Sequence, residues 1–253
     1  MKKRIFVFPG QGSQYVGMGR DLAENIPEVA NLFESADQVL GYSITDLCFN
    51  GPEERLKETR YTQPGIFTVS CAALLALKNT GVDCDDVAVA GHSLGEYTAL
   101  VAAGILPFAE ALKLVKLRGE LMFELRYPVE GSPMAAIIGL DSARVKEIAK
   151  EVSAGDEQLF LSIYNCPGQY VVSGHPKAIE RAVGLYEQAG ARKVSPLKVS
   201  GPFHSPLYGE ARDKLAEALE AITFEDPKRP FVNNVTADYV HAAADVKQGL
   251  VDQ

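Results

Sequence analysis

Apolar residues along this chain fall into two rhythms, short unbroken runs and longer stretches with helical spacing, and the two alternate. Ile5–Phe8 is the first short run, followed by a glycine-rich loop, Gly10-Gln11-Gly12-Ser13-Gln14. Helical spacing appears over Glu28–Leu40 and Gln63–Lys78. A second run, Val87–Ala90, leads into a helical stretch from Glu96, and an amphipathic helix is predicted from about Phe108 to Leu125. Strands interleaved with helices predict an α/β domain with a largely parallel sheet, Ile5–Phe8 and Val87–Ala90 being buried strands within it.

The rhythm changes in the middle of the chain. Strands are predicted at Met134–Leu140, Leu159–Tyr164, Tyr170–Ser173 and Lys193–Val199, and helices at Ala143–Val152 and Ala178–Gln188. The order β-α-β-β-α-β is the ferredoxin-like arrangement. Pro128, Gly131 and Pro133 on one side, and Gly201 and Pro202 on the other, mark hinges. The expected organisation is a large α/β-hydrolase-like domain, residues 1–127 and 201–253, carrying an inserted ferredoxin-like domain, residues 128–200, with a ligand cleft between them. After the insertion, Ser205-Pro206 reads as an N-cap followed by proline at the first helical position. That helix is predicted to run to about Ile222, with a strand at Phe231–Val235 beyond it.

Composition narrows the function. The 253 residues are 47% hydrophobic and 23% charged, ordinary values for a globular protein. A net charge of −8 argues against a nucleic-acid partner and gives no attraction to anionic membranes. Cys48, Cys71, Cys84 and Cys166 form no C-x-x-C pair, so neither a zinc site nor a disulfide framework is indicated. The run after Met1-Lys2-Lys3-Arg4 is too short for a signal peptide, and no stretch approaches the length of a membrane span. A cytoplasmic protein is expected.

The most specific chemistry is Gly91-His92-Ser93-Leu94-Gly95, a G-x-S-x-G sequence between a predicted strand and a predicted helix. In that context it is a nucleophile elbow, with a strained serine exposed on the turn. The glycines lack the Cβ that would obstruct the turn, and the helix N-terminus offers backbone N–H groups where an oxyanion would form. A serine needs a base. His92 adjoins Ser93 but points elsewhere across a sharp turn. His175 reads as a loop or capping residue, and His241 lies in an alanine-rich tail. His204, in Gly201-Pro202-Phe203-His204-Ser205 at the domain junction, is the best-placed base. Asp213, Asp226 and Asp238 are not obviously placed to complete a triad, and a backbone carbonyl is the alternative partner.

Ala111, Val115, Arg118, Met122 and Leu125 follow spacings of 4, 3, 4 and 3, one helix face on which only Arg118 is polar. A buried guanidinium needs a partner. Either it pairs with an Asp or Glu of the protein, or it awaits an anionic substrate, for which its planar fork is suited. A nucleophilic serine facing such a fork implies an acyl donor with a free carboxylate, malonyl being the simplest.

Phe8–Gly19 (FPGQGSQYVGMG), Tyr61–Gly65 (YTQPG), Gly91–Tyr97 (GHSLGEY), the Arg118 helix and Gly201–Ser205 (GPFHS) occur in that order. Together they resemble the malonyl-CoA:acyl-carrier-protein transacylases, including free-standing acyltransferases of polyketide synthases, over essentially the whole chain. The resemblance implies ping-pong transfer of malonyl from the coenzyme A thioester to the phosphopantetheine thiol of an acyl carrier protein, through a Ser93 ester. It implies His204 as base, the backbone N–H groups of Gln11 and Leu94 as oxyanion hole, and Arg118 as carboxylate clamp. Gln253 is implied to orient His204 through its backbone carbonyl, while Gln63 and Asn165 fall on motif positions near the site. Phe203 corresponds to the malonyl-selective version, its ring crowding an α-methyl group. No permanently bound cofactor, metal, nucleic acid or membrane enters this reading.

Members of that family run on beyond the Gln253 position, so the large domain is expected to be cut short and Gln253 to fray. Two other functions fit parts of the pattern. An acyl hydrolase clearing stalled carrier proteins would use the same serine and histidine but has no need of Arg118. A non-catalytic carrier-docking module would not need the complete set of polar groups. Lys113 and Lys116, or Arg192, Lys193 and Lys198, are candidates for meeting an acidic carrier, against the simpler reading of solvated surface charge.

Overall fold

The short apolar runs become strands and the helical spacings become helices. The computed structural model describes residues 4–82, 84, 87–124 and 131–253. The chain divides into two compact units, Met1–Leu121 with Arg212–Gln253, and Met122–Ala211. Leu125 and Pro128, which the sequence assigns to a helix face and a hinge, lie outside the described residues.

The first unit starts with β1 (Arg4–Phe8), then α1 (Arg20–Asn25), α2 (Pro27–Leu40), α3 (Ile44–Asn50), α4 (Glu53–Leu56) and α5 (Thr59–Asn79). β2 (Val87–Gly91), α6 (Gly95–Ala102) and α7 (Phe108–Glu124) follow, the unit boundary falling inside α7. α2 shows how the pattern acts. Pro27 opens it, Gly41 ends it at φ 77°, and Val29, Phe33, Ala36 and Leu40 form its buried face.

The second unit holds β3 (Met134–Ile138), α8 (Ser142–Val152), β4 (Leu159–Cys166), β5 (Gln169–Gly174), α9 (Pro176–Gln188) and β6 (Lys193–Pro196). Its sheet has the order β4-β5-β3-β6 with every neighbour antiparallel, the ferredoxin-like arrangement. Val145, Ile148, Ile179 and Tyr186 of the two helices close one core with Ile137, Leu159 and Val172 of the strands. A 3₁₀ turn, Pro206–Tyr208, leads into α10 (Gly209–Glu220), which carries the chain back to the first unit. There β7 (Phe231–Val232), β8 (Tyr239–Val240) and α11 (Ala243–Asp252) complete it. Its sheet order is β1-β2-β7-β8, with β2 parallel to both neighbours and β8 antiparallel to β7.

Three expectations need correction. β1 is not buried: among the described residues it pairs only with β2, and Ile5 and Val7 are 52% and 65% exposed. Ser205 does take the N-cap position with Pro206 next, but it opens a 3₁₀ turn, and its hydroxyl donates back to Pro202 O (2.6 Å) without capping the turn. The strand at Phe231 stops after Val232, because Asn233 Oδ1 accepts from both the backbone N–H and the hydroxyl of Thr236 and folds the chain into a turn. The alanine-rich stretch, for which the sequence makes no assignment, forms α11, its first N–H held by Asp226 Oδ1 (2.8 Å).

Candidate active site

β2 delivers Gly91 to the elbow and α6 begins at Gly95: His92 N–H donates to Phe8 O (3.0 Å), Gly95 N–H to His92 O (2.9 Å) and Glu96 N–H to Ser93 O (3.1 Å). Ser93 sits at φ 50°, a conformation costly for a residue with a Cβ. The glycines are sterically required. A Cβ on Gly91 would lie 1.9 Å from the Gly95 carbonyl carbon, and one on Gly95 would lie 2.2 Å from Phe8 O.

Arg118 is 7% exposed, on the apolar face of α7 with Ala111, Val115 and Met122. Its Nη1 donates to Gln63 Oε1 (2.6 Å), and its Nη2 to Ser93 Oγ (3.1 Å) and Gln253 Oε1 (3.0 Å). All three acceptors are neutral. The face of Tyr97 lies 5.7 Å from the guanidinium carbon. Burial draws the Arg118 pKa below its ordinary value, and Tyr97 and Glu96 pull the other way. The charge is therefore held beside the serine by dipoles, a π-face and a more distant acid, an arrangement suited to receiving an anion.

Gln63 extends this network. Its Nε2 donates to Thr59 Oγ1 (2.9 Å), and that hydroxyl donates to Gln11 Oε1 (2.7 Å). The glycine-rich loop is thereby tied to the Arg118 fork. The same loop lies against the elbow, since a Cβ on Gly10 would be 2.6 Å from His92 O. Among the described residues, the backbone N–H groups of Gln11 and Leu94 have no protein acceptor, whereas that of Ser93 donates to Asn234 Oδ1 (2.8 Å).

Two site residues went unrecognised in the sequence. Glu96 is fully buried, and its Oε2 accepts from Asn234 Nδ2 (2.5 Å), Gln253 Nε2 (2.5 Å) and Asn234 N–H (3.3 Å). Burial pushes its carboxyl up to about 7, against the lowering effect of those hydrogen bonds and of Arg118. Asn234 Nδ2 also reaches Gly91 O (2.7 Å). The available signals were an acid inside an otherwise apolar helix and two asparagines where a buried strand should continue. The Gln253 side chain bonds Arg118 and Glu96, and its N–H donates to Gly249 O (3.0 Å).

His204, Phe203, Asn165 and His175 lie in the second unit. His204 has φ 56°, the left-handed region uncommon for a residue with a Cβ. Phe203 is buried, its ring 5.4 Å from that of Tyr208. Asn165 is exposed near the end of β4. His175 occupies the N-cap position of α9, yet its ring does not cap; Nδ1 accepts from Gln158 N–H (3.0 Å). The three aspartates are engaged locally: Asp213 with Arg212, Asp226 with α11, and Asp238 with Tyr239 N–H. Lys113 is an exposed surface charge paired with Glu110 one turn away on the same helix, and Lys116 donates to Leu40 O (2.9 Å). No group of three His, Cys, Asp or Glu side chains among the described residues could hold a metal, and no described helix is long and apolar enough to cross a membrane.

The acyl transferase domain family model matches residues 5–248. A malonyl CoA-acyl carrier protein transacylase of Bacillus subtilis (strain 168) is 44% identical over 253 residues, covering 100% of this chain and 79% of the relative. The protein of the same name from Staphylococcus aureus (strain MW2) is 41% identical, covering 100% and 80%. Among solved structures, a type II PKS acyl-carrier protein in complex with its malonyl-transacylase is similar at 42% identity and TM-score 0.92, covering 99% of this chain and 80% of that one. The malonyl CoA-acyl carrier protein transacylase of Coxiella burnetii is similar at 38% identity and TM-score 0.93, covering 99% and 78%.

Proposed function

This chain belongs to the acyl transferase domain family, among the malonyl CoA-acyl carrier protein transacylases, and from that premise we propose the chemistry of its residues. The enzyme moves malonyl from malonyl-CoA to the phosphopantetheine thiol of an acyl carrier protein, for fatty acid or polyketide synthesis. Ser93 Oγ attacks the thioester carbonyl and gives its proton to His204. The C–S bond breaks, and coenzyme A leaves with that proton, leaving a malonyl ester on Ser93. The carrier thiol then gives its proton to His204 and attacks the ester, and Ser93 recovers the proton as its C–O bond breaks.

The observation that carries this reading is the contact of Arg118 Nη2 with Ser93 Oγ, on a guanidinium whose acceptors are all neutral. A malonyl carboxylate is the ionic partner this fork lacks, and binding it places the thioester carbonyl beside the nucleophile. The uncommitted N–H groups of Gln11 and Leu94 support an oxyanion-hole role for both. The left-handed backbone of His204 supports a functional position. We assign Gln63 to holding the fork, Gln253 to orienting His204 through its carbonyl, and Phe203 and Asn165 to the substrate surface. No permanently bound cofactor takes part. Four unpaired cysteines suit a reducing compartment, the cytoplasm.

The test is intact-mass spectrometry after exposure to malonyl-CoA, followed by addition of the phosphopantetheinylated carrier. One malonyl group on the wild type, absent from Ser93→Ala and passed to the carrier thiol, is expected. Free malonate without malonyl-carrier would instead indicate a hydrolase, and no adduct would refute serine ester chemistry.

A further inference from the structure

We infer that Glu96 is a positioning residue which, through one carboxyl oxygen, fixes the orientation of the Asn234 and Gln253 amides and so keeps the serine elbow and the Arg118 fork in register. The inference rests on the transfer reading above.

A carboxylate oxygen only accepts hydrogen bonds. The side-chain nitrogens of Asn234 and Gln253 both donate to Glu96 Oε2, at 2.5 Å each. An amide carries its oxygen opposite its nitrogen. Committing both nitrogens to Glu96 therefore turns Asn234 Oδ1 to the N–H of Ser93 (2.8 Å) and Gln253 Oε1 to Nη2 of Arg118 (3.0 Å). Turned over, either amide would set oxygen against oxygen at Glu96. At its far end it would set N–H against N–H at Ser93, or an amide nitrogen against the guanidinium. Asn234 Nδ2 also donates to Gly91 O (2.7 Å) and Gln253 Nε2 to Ser93 O (3.4 Å), but Glu96 Oε2 is the acceptor that both amides share, and those two amides touch the nucleophile's backbone and the cation beside it.

Two simpler roles fit less well. Glu96 is not the ion-pair partner of Arg118, whose hydrogen bonds go to Gln63, Ser93 and Gln253. It reaches the guanidinium only across the Gln253 amide. Nor is it a mere filler at the start of α6. Its Oε1 is buried without a hydrogen-bond partner, and a buried polar atom so placed costs free energy that an apolar side chain would not. The group that earns its place is Oε2. Arg118 from α7 and Tyr97 from α6 are the titratable groups whose fields act on this carboxyl and fork.

The experiment measures the rate of Ser93 acylation by malonyl-CoA and by acetyl-CoA in the wild type, Glu96→Leu, Glu96→Asp and Glu96→Gln, with circular dichroism to establish folding. Glu96→Leu has no acceptor and should lower the malonyl-to-acetyl rate ratio by about tenfold or more, since the fork loses its setting. Glu96→Gln keeps an oxygen able to accept from both amides and should restore the ratio. Glu96→Asp keeps the charge but withdraws the oxygen by one methylene, and should fall below Glu96→Gln. If Glu96→Leu does not fold, the order of Gln and Asp decides. A ratio unchanged in Leu, or Asp equal to or above Gln, overturns the inference while leaving the transfer reading intact. A wild type that forms no malonyl ester overturns both.

Discussion

Nη2 of Arg118 lies 3.1 Å from Oγ of Ser93, so a buried cation donates directly to the hydroxyl at the tip of the elbow. Before a carboxylate binds, the serine oxygen and the Gln63 and Gln253 amides occupy the fork. A malonyl carboxylate must displace neutral acceptors with a charged one, and an acetyl group offers nothing to exchange. Arg118→Ala should therefore lower kcat/KM for malonyl-CoA by about a hundredfold or more, since each hydrogen bond to a charged group contributes about 1.5–3 kcal/mol. The loss for acetyl-CoA should be much smaller. Steady-state transfer with both donors checks this, and equal losses would remove Arg118 from carboxylate recognition.

Gly95→Ala should unfold the elbow before it alters any chemistry. The added Cβ would lie 2.2 Å from Phe8 O and 2.9 Å from Pro9 O, both backbone atoms that cannot swing aside. The expected cost is about 3 kcal/mol, at the upper end for overpacking. Urea denaturation of the variant and the wild type measures it, and a loss below about 1 kcal/mol would show that β1 and α6 can separate without penalty.

Glu96 makes stability depend on pH in a defined direction. Its folded carboxyl is raised from 4.5 to about 7, chiefly by burial, so between those values the folded chain keeps a proton that the unfolded chain has lost. Its contribution is fully present below about pH 4.5 and is lost as pH rises through 7. Relative to Glu96→Gln, which does not titrate, the wild type should lose about 3 kcal/mol between pH 4.5 and pH 8, to order of magnitude. Paired urea titrations at pH 5 and pH 8 give the difference; a constant gap would mean that the carboxyl does not titrate in this window.

Phe203 carries a prediction about selectivity complicated by its packing. If its ring excludes an α-methyl group, Phe203→Ser should raise methylmalonyl transfer relative to malonyl. The ring is also buried against Tyr208, so the variant should be less stable by about 3 kcal/mol. The ratio of the two donors in competition separates the effects, because a general loss of folded protein lowers both rates together. An unchanged ratio would release Phe203 from any role in donor choice.

The elements most legible in the sequence were those whose local signals agree. α2 has a proline start, a glycine stop and one apolar face, and its observed span begins one residue before the predicted one. The β-α-β-β-α-β order of the second unit followed from similarly clean alternation. β1 misled because an unbroken apolar run says that a strand forms, not which neighbours will cover it. β7 misled because Phe231-Val232 continues as apolar extended chain only until the Asn233 side chain offers the backbone a turn instead.

By itself, the sequence determined the alternation of strand and helix, the glycines without which the elbow cannot close, the serine at its tip, and the placing of an arginine on an apolar helix face. These follow from local sterics and from periodicity, which act between residues a few positions apart. Only the tertiary structure decided what the arginine would touch and which residues would hold it. Arg118, Gln63, Ser93, Glu96, Asn234 and Gln253 are joined by side-chain hydrogen bonds that span separations of 25 to 160 positions. No periodic pattern encodes a hydrogen bond over such distances, because its donor and acceptor meet only after the apolar faces between them have been buried.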